Sequence, residues 1–309
     1  SLAEPLVSVL PEFGTTTPRD IDGGQDPHSK QRLPTPDDLR GRTVDPAHVT
    51  FRHLLTHTSG LPPWRDVFNA AGPPPSAPGE PDSISRLERW QRGLRALCVY
   101  PFVGEPGDVV RYSDIGLMLL GEAVSRLDSG RSGALDDAIQ SRVCTPLELK
   151  SFTFNPVERG IPLANIAPTE NDPHWRGRRC WGQVHDENAA GLGGVAGHAG
   201  LFGTAADVAA LGQAWLERDP RLNIDPALAD RMVFEVGLTD SRPPHALLSE
   251  REYSVFERLV QGDSVNDIAG KLALSSKTIS THKARLMQKL NVHSTAELVR
   301  YAIEHGLGG

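Results

Sequence analysis

The chain has 309 residues, 39% of them hydrophobic and 23% charged, with a net charge of −7. That length leaves room for two cores, and the composition is that of a globular protein with no apolar run long enough to span a bilayer. An acidic balance of this size, taken alone, argues against a nucleic-acid partner.

In chain order, residues 14–48 are rich in Pro, Gly, Asp and Thr and read as loop. A helix follows, capped by Thr50, with Phe51, Leu54 and Leu55 as its apolar face and Gly60, Pro62 and Pro63 as its stop. The stretch 72–81 (GPPPSAPGEP) is excluded from helix and central strand, because proline removes the N–H donors. Residues 83–97 read as helix, and so do residues from Ser113 to about Leu127, with Ile115, Leu119 and Val124 inward. Residues 156–197 carry little pattern. A further helix is expected from Ala205 to Glu217, then a short one within 219–246, ending in the linker-like SRPPH.

The cysteines Cys98, Cys144 and Cys180 are odd in number and far apart. They form no disulfide framework and fit a reducing compartment, so a cytoplasmic location is expected. No C-x-x-C pair is present for a cysteine zinc site. His53 and His57 have a metal-compatible i, i+4 spacing without a third ligand in the pattern, and His185-Asp186 reads as a catalytic pair or, ahead of that, as residues in structural hydrogen bonding. No metal or cofactor is expected. The sequence opens on Ser1 rather than Met, which reads as a processed chain or a piece of a longer one.

Charge is unevenly spread. Residues 247–309 hold 8 Lys+Arg against 7 Asp+Glu, so the remainder carries −8. Only Lys30 and Lys150 precede this region, whereas Lys271, Lys277, Lys283 and Lys289 fall within 19 residues. Four helices are expected here: Glu250 to about Gln261, capped by Ser249 with Glu252 at a capping-box spacing; Val265–Leu272; Ser276–Leu290, capped by Ser275; and Thr295–Glu304, capped by Ser294. The third has Ile279, Leu286 and Leu290 on one face. On the other it sets Lys277, Lys283, Arg285 and Lys289 among Thr278, Ser280, Thr281, His282 and Gln288. Cations meet phosphates, and short polar side chains approach base edges in the major groove. A merely solvated basic face is the plain alternative.

The stretch from Leu248 to Leu307 resembles the LuxR-type helix-turn-helix of response-regulator output domains. The resemblance implies binding of double-stranded DNA at an inverted repeat, as a homodimer, with Lys277, Thr278, Thr281, Lys283 and Arg285 at the groove or its phosphates. No phosphoacceptor receiver domain precedes it within this sequence.

Three earlier blocks, Phe51–Pro62 (FRHLLTHTSGLP), Tyr112–Val124 (YSDIGLMLLGEAV) and Val184–Leu211, together resemble serine beta-lactamase-like hydrolases of the class C and esterase type. In that family a serine is activated by a lysine one turn later, and a Tyr-x-Asn motif assists proton transfer. Tyr112-Ser113-Asp114 matches the tyrosine motif with Asp for Asn, so the resemblance implies catalytic residues Tyr112 and Asp114 in vestigial form. A tyrosine ahead of a helix capped by Ser113 is the plain alternative. The serine itself is missing: three residues before Lys30 and Lys150 stand Pro27 and Leu147, and there is no G-x-S-x-G elbow. Ser280 to Lys283 matches the spacing by chance, inside the basic helix. The opening SLAEPLVSVLPEF resembles the segment after the nucleophile helix, which is expected upstream of Ser1. His198-Ala199-Gly200 looks superficially like the family's closing motif but precedes a helix.

The expected architecture is therefore mainly α: an incomplete α/β beta-lactamase-like region over 1–240, a linker over 241–247, and a four-helix helix-turn-helix domain over 248–309. The expected function is sequence-specific DNA binding and transcription regulation, with an inactive hydrolase-like region. The alternative is a serine hydrolase whose nucleophile lies upstream. A junction of two unrelated gene pieces also accounts for the shift in lysine use. No membrane partner is expected.

Overall fold

A computed structural model describes residues 1–27, 29–222, 248, 250–272, 275–290, 292, 294–304 and 307. The chain divides into two compact units, Ser1–Asn223 and Ile224–Gly309. The expected linker 241–247, the short helix expected within 219–246 and the cap Ser249 lie outside the described residues, apart from a single 3-10 turn at Pro220–Leu222.

The first unit is built on helices α1 (Phe51–Leu55), α2 (Val67–Ala71), α3 (Arg86–Leu97), α4 (Asp114–Ser129), α5 (Leu135–Ile139), α6 (Glu187–Gly191) and α7 (Ala205–Leu216). Two two-residue ladders accompany them, β1 (Arg19–Asp20) with β2 (Thr43–Val44) and β3 (Asn171–Asp172) with β4 (Arg178–Arg179), both antiparallel. Helix starts follow the polar residues that satisfy the free N–H groups of a first turn. Thr50 and His53 form a reciprocal capping box on α1, Ser85 caps α3, and Ser113 accepts from Gly116 N at 3.0 Å to start α4. α4 ends at Gly130, whose φ of 70° suits a residue without Cβ.

The core gathers Phe13, Leu54, Leu94, Phe102, Ile115, Met118 and Leu119. Two sequence expectations are corrected here. Leu55 is 46% exposed and Val124 is 38% exposed, in place of the inward positions expected for both. α4 is apolar almost all round, so apolarity alone cannot choose its inner stripe. Geometry selects Ile115, Met118, Leu119 and Ala123, with Glu122 on the same side. Glu122 is fully buried and accepts from Trp90 Nε1 at 2.7 Å, Arg126 Nε at 2.7 Å and Gly133 N at 3.0 Å. A carboxylate is tolerated there because its oxygens are met by donors. Arg19 is also buried, between the Phe13 and Phe102 rings, and donates to the Phe13 and Tyr100 carbonyls.

The weakly patterned region 156–197 is organised by Arg176. Its fully buried guanidinium reaches the Asp172 carboxylate at 3.2 Å and the His185 carbonyl at 2.8 Å. A network of this kind leaves no periodicity in the sequence. The proline-rich stretch 72–81 contains neither helix nor strand, as its composition demands.

The second unit contains α8 (Glu250–Val260), α9 (Val265–Leu272), α10 (Ser276–Leu290) and α11 (Thr295–Glu304). Three of these have the expected bounds, and α8 stops one residue short of Gln261. Val255, Phe256, Ile268, Ile279, Leu286 and Leu298 form its core. Ser275 accepts from Thr278 N and Ser294 from Glu297 N, both at 3.1 Å, so those caps stand as expected. A further box has no counterpart among the sequence expectations: Ser264 Oγ accepts from Asp267 N at 3.2 Å while Asp267 accepts from Ser264 N at 3.1 Å.

Candidate nucleic-acid interface and a buried histidine cluster

α10 turns one face to the core of the second unit and the other to solvent. Ile279 and Leu286 are fully buried, and Leu290 is nearly so. Lys277, Ser280, Thr281 and Arg285 are exposed, and Thr278, His282 and Lys283 are half-buried. The side chain of Lys289 lies outside the described residues. The apolar and polar faces are separated by helical geometry alone, since residues three and four apart share a face. Within the polar face several groups are engaged, Thr278 Oγ1 among them, which shares a 2.7 Å hydrogen bond with Ser275 Oγ. Thr281 Oγ1 donates to the Lys277 carbonyl at 3.0 Å, and Lys283 Nζ donates to Thr295 Oγ1 at 3.0 Å, which ties α10 to the start of α11. Arg285 forms no ion pair among the described residues. The Lys283–Thr295 tie is not readable from spacing.

In the first unit, Tyr112 and Asp114 come together with three residues from other segments. The Tyr112 hydroxyl and the Asp114 carboxylate lie close enough to affect each other's protonation. The His57 ring packs on Tyr112 at 4.7 Å between centroids, and its Nδ1 accepts from Ser113 N at 3.3 Å. His198, its side chain 2% exposed, places Nε2 2.9 Å from Asp186 Oδ1. Asp186 also caps α6 by accepting from Ala189 N at 2.7 Å. His185 and Asp186 do not form a catalytic pair with each other: His185 faces Glu170 at 3.2 Å, while Asp186 turns inward to α6 and His198, so each makes structural contacts with other partners. His198 escapes a reading of the sequence because a separation of twelve residues carries no signal. His53 Nδ1 is committed to the α1 capping box, accepting from Thr50 N at 3.3 Å. No group of three or more His, Cys, Asp or Glu among the described residues is arranged to hold a metal ion.

The electrostatics separate the two aspartates. Burial raises Asp114, and the Asp186 charge adds to this against the opposing pull of His198, Tyr112 and His57, so Asp114 sits above the usual carboxylate range. Burial also works to raise Asp186, but the His198 hydrogen bond and charge and the Ala189 N–H outweigh it and hold Asp186 low. The Tyr112 hydroxyl is pushed up to about 12, by desolvation first and then by the charge and hydrogen bond of Asp114. A tyrosine general base needs the opposite shift, so this environment keeps Tyr112 protonated.

By linkage, a depressed carboxylate stabilises the fold above its unfolded pKa and loses that contribution as the pH falls, whereas a raised one opposes the fold once the pH passes its unfolded value. Asp114→Asn should therefore raise the thermal midpoint of the first unit at neutral pH. Asp186→Ala should lower stability by about 1–3 kcal/mol, through the missing cap and the stranded His198. Thermal unfolding at pH 7 checks both signs; a shift of the same sign in both variants contradicts the assignment.

The beta-lactamase family model matches residues 4–246, and the model described as bacterial regulatory proteins, luxR family, matches residues 246–302. A protein of Escherichia coli (strain K12) provisionally named D-alanyl-D-alanine carboxypeptidase is 39% identical over 191 residues, 58% of this chain and 40% of its own length. One of the same provisional name from Salmonella agona (strain SL483) is 38% identical over 127 residues, 38% of this chain and 29% of its own. The chain thus spans about two fifths or less of these relatives. Among solved structures, simvastatin synthase from Aspergillus terreus aligns with a TM-score of 0.42 at 22% identity, covering 86% of this chain and 57% of that one. Among the described residues no helix is long and apolar enough to cross a membrane.

Proposed function

Because the chain belongs to the beta-lactamase family over residues 4–246 and carries a LuxR-family region over 246–302, we propose that it is a sequence-specific DNA-binding regulator with a hydrolase-like region that does not turn over substrate. The single observation that carries the first half of this reading is α10, which has an apolar face in the core and an exposed polar face bearing Lys277, Ser280, Thr281 and Arg285. In this reading α9 and α10 form the helix-turn-helix and α10 enters the major groove. Thr278, Ser280 and Thr281 then reach base edges, and Lys277, Lys283, Arg285 and Lys289 meet phosphates. The organisation that goes with it is an incomplete beta-lactamase-like region over 1–240, a linker over 241–247 and a four-helix domain over 248–309 that binds double-stranded DNA as a homodimer. The two family matches meet at residue 246, inside that linker. Titrating a labelled duplex with the chain at increasing salt tests the reading. The logarithm of the binding constant should fall linearly with the logarithm of salt, and binding indifferent to salt contradicts phosphate contact.

The family match over 4–246 favours a second reading, hydrolysis of an amide, ester or beta-lactam. Against it stands the sequence: residues 1–246 contain no Ser-x-x-Lys, and the tyrosine of the Tyr-x-Asp motif is held protonated. A chain of these 309 residues is expected to form no covalent adduct with a fluorescent penicillin or a fluorophosphonate probe. A labelled band resistant to denaturation overturns that expectation.

A further inference from the structure

Helix α7 is apolar round almost its whole circumference, with Asp207 and Gln213 as its only polar side chains. A helix of that kind is ordinarily enclosed by protein. Here only Ala214 is buried, packed with Cys144, Leu147 and Phe152. Val208 is exposed, Trp215 is 41% exposed and Leu216 79%. The one charge on the helix is spent within the unit, since Asp207 accepts from Ser151 N at 2.7 Å.

An open groove of about 440 Å3 lies between α4, α5 and residues 196–201. Leu117, Leu120, Val124, Leu135, Ile139 and Phe154 make its wall apolar, and its one titratable group, His198, is committed to Asp186 at 2.9 Å. A small polar ligand finds nothing there to fix its orientation. Leu201 connects this groove to α7. It is exposed, lines the groove, and shares a smaller cavity with Phe152, on which α7 rests through Ala214. Three residues later Thr204 caps α7. Groove and helix thus form one apolar surface, extended along α4 by the exposed Leu127.

Val124, Leu127, Leu201, Val208, Trp215 and Leu216 together expose roughly 600 Å2, and the exposed alanines of α7 bring this near the ~800 Å2 that each copy buries in a stable dimer. A lone monomer seldom leaves so large an apolar patch open. In a two-fold contact each copy offers the same surface, so a charged patch meets its own sign. An uncharged patch that carries both a knob and a groove is complementary to itself.

We propose that this face joins two copies of the chain about a two-fold axis, the Trp215–Leu216 end of α7 from each copy seated in the apolar groove of the other. Trp215 is the anchor, since a large aromatic side chain in an apolar pocket dominates the energetics of such contacts. The consequence for DNA rests on the reading of α10 as the helix that enters the major groove: the first unit supplies the two-fold symmetry that an inverted repeat requires.

Sedimentation velocity of the full 309-residue chain without DNA tests this. The chain should sediment as a dimer at micromolar concentration. Trp215→Glu/Leu216→Glu, both at exposed positions, should raise the dissociation constant about a hundredfold or more. Val124→Glu, on the groove side, should act in the same direction with an unchanged far-ultraviolet circular dichroism spectrum. A monomeric parent chain, open-ended aggregation without a dimer, or a dimer as tight in both variants as in the parent overturns the proposal. Because association is read without DNA, loss of duplex binding by an intact dimer counts against α10 and not against this face.

Discussion

Replacing Glu122 with leucine should destabilise the first unit by about 3–5 kcal/mol, the cost expected when one partner of a buried charged network is removed. The carboxylate is fully buried on α4 and is the meeting point of Trp90 Nε1, Arg126 Nε and the Gly133 backbone N–H. Leucine fills a similar volume but strands all three donors. Arg126 keeps only its hydrogen bonds to Glu12 and the Val9 carbonyl. Glu122→Gln retains one acceptor and should cost about 1–3 kcal/mol. All five tryptophans lie at or before residue 215, so urea unfolding followed by tryptophan fluorescence reads this unit by itself. A cost below about 1 kcal/mol for Glu122→Leu contradicts the assigned role of the network.

Replacing Lys283 and Arg285 together with alanine should weaken DNA binding across all sequences and lower the salt slope by about 2, near one unit for each phosphate no longer neutralised. The two residues are not equivalent. Arg285 is exposed, whereas Lys283 is anchored at 3.0 Å to Thr295 Oγ1. The anchor places the ammonium group before any DNA arrives, so less side-chain freedom is given up on binding. Thr295→Val should therefore weaken binding without changing the slope, because the charge remains. Fluorescence anisotropy at several salt concentrations measures both quantities. An unchanged slope in the double variant removes these side chains from the interface.

Legibility in the sequence follows the physics of each region. α10 and α11 are readable because amphipathic period and serine caps coincide, with Ser275 and Ser294 where their caps form, whereas α9 is readable from its apolar period alone. Helix α4 is readable as a helix but not in its orientation, since apolar residues surround it and a buried glutamate occupies its inner side. The proline-rich stretch is readable by exclusion. Long-range polar pairing is not: His198 with Asp186 and Arg176 with the loop carbonyls follow from tertiary proximity, to which local periodicity is blind. Of the candidate groove residues, Lys277, Ser280, Thr281 and Arg285 fall on the exposed face that helical period assigns them, but nothing in the sequence signals that Lys283 is tied to the next helix. Tyr112 and Asp114 are found by motif, and the negative charge that Asp sets against a tyrosinate is legible there too; what the sequence hides is the burial that contributes most to the same shift.

The most direct measurement is selection of bound sequences from a pool of random duplex DNA by the purified 309-residue chain, followed by sequencing. A regulator of this kind should enrich an inverted repeat whose half-sites are spaced for two copies of α10 in successive major grooves, about one helical turn apart. Retention of DNA with no sequence enriched, or no retention at low salt, would contradict sequence-specific binding by α10.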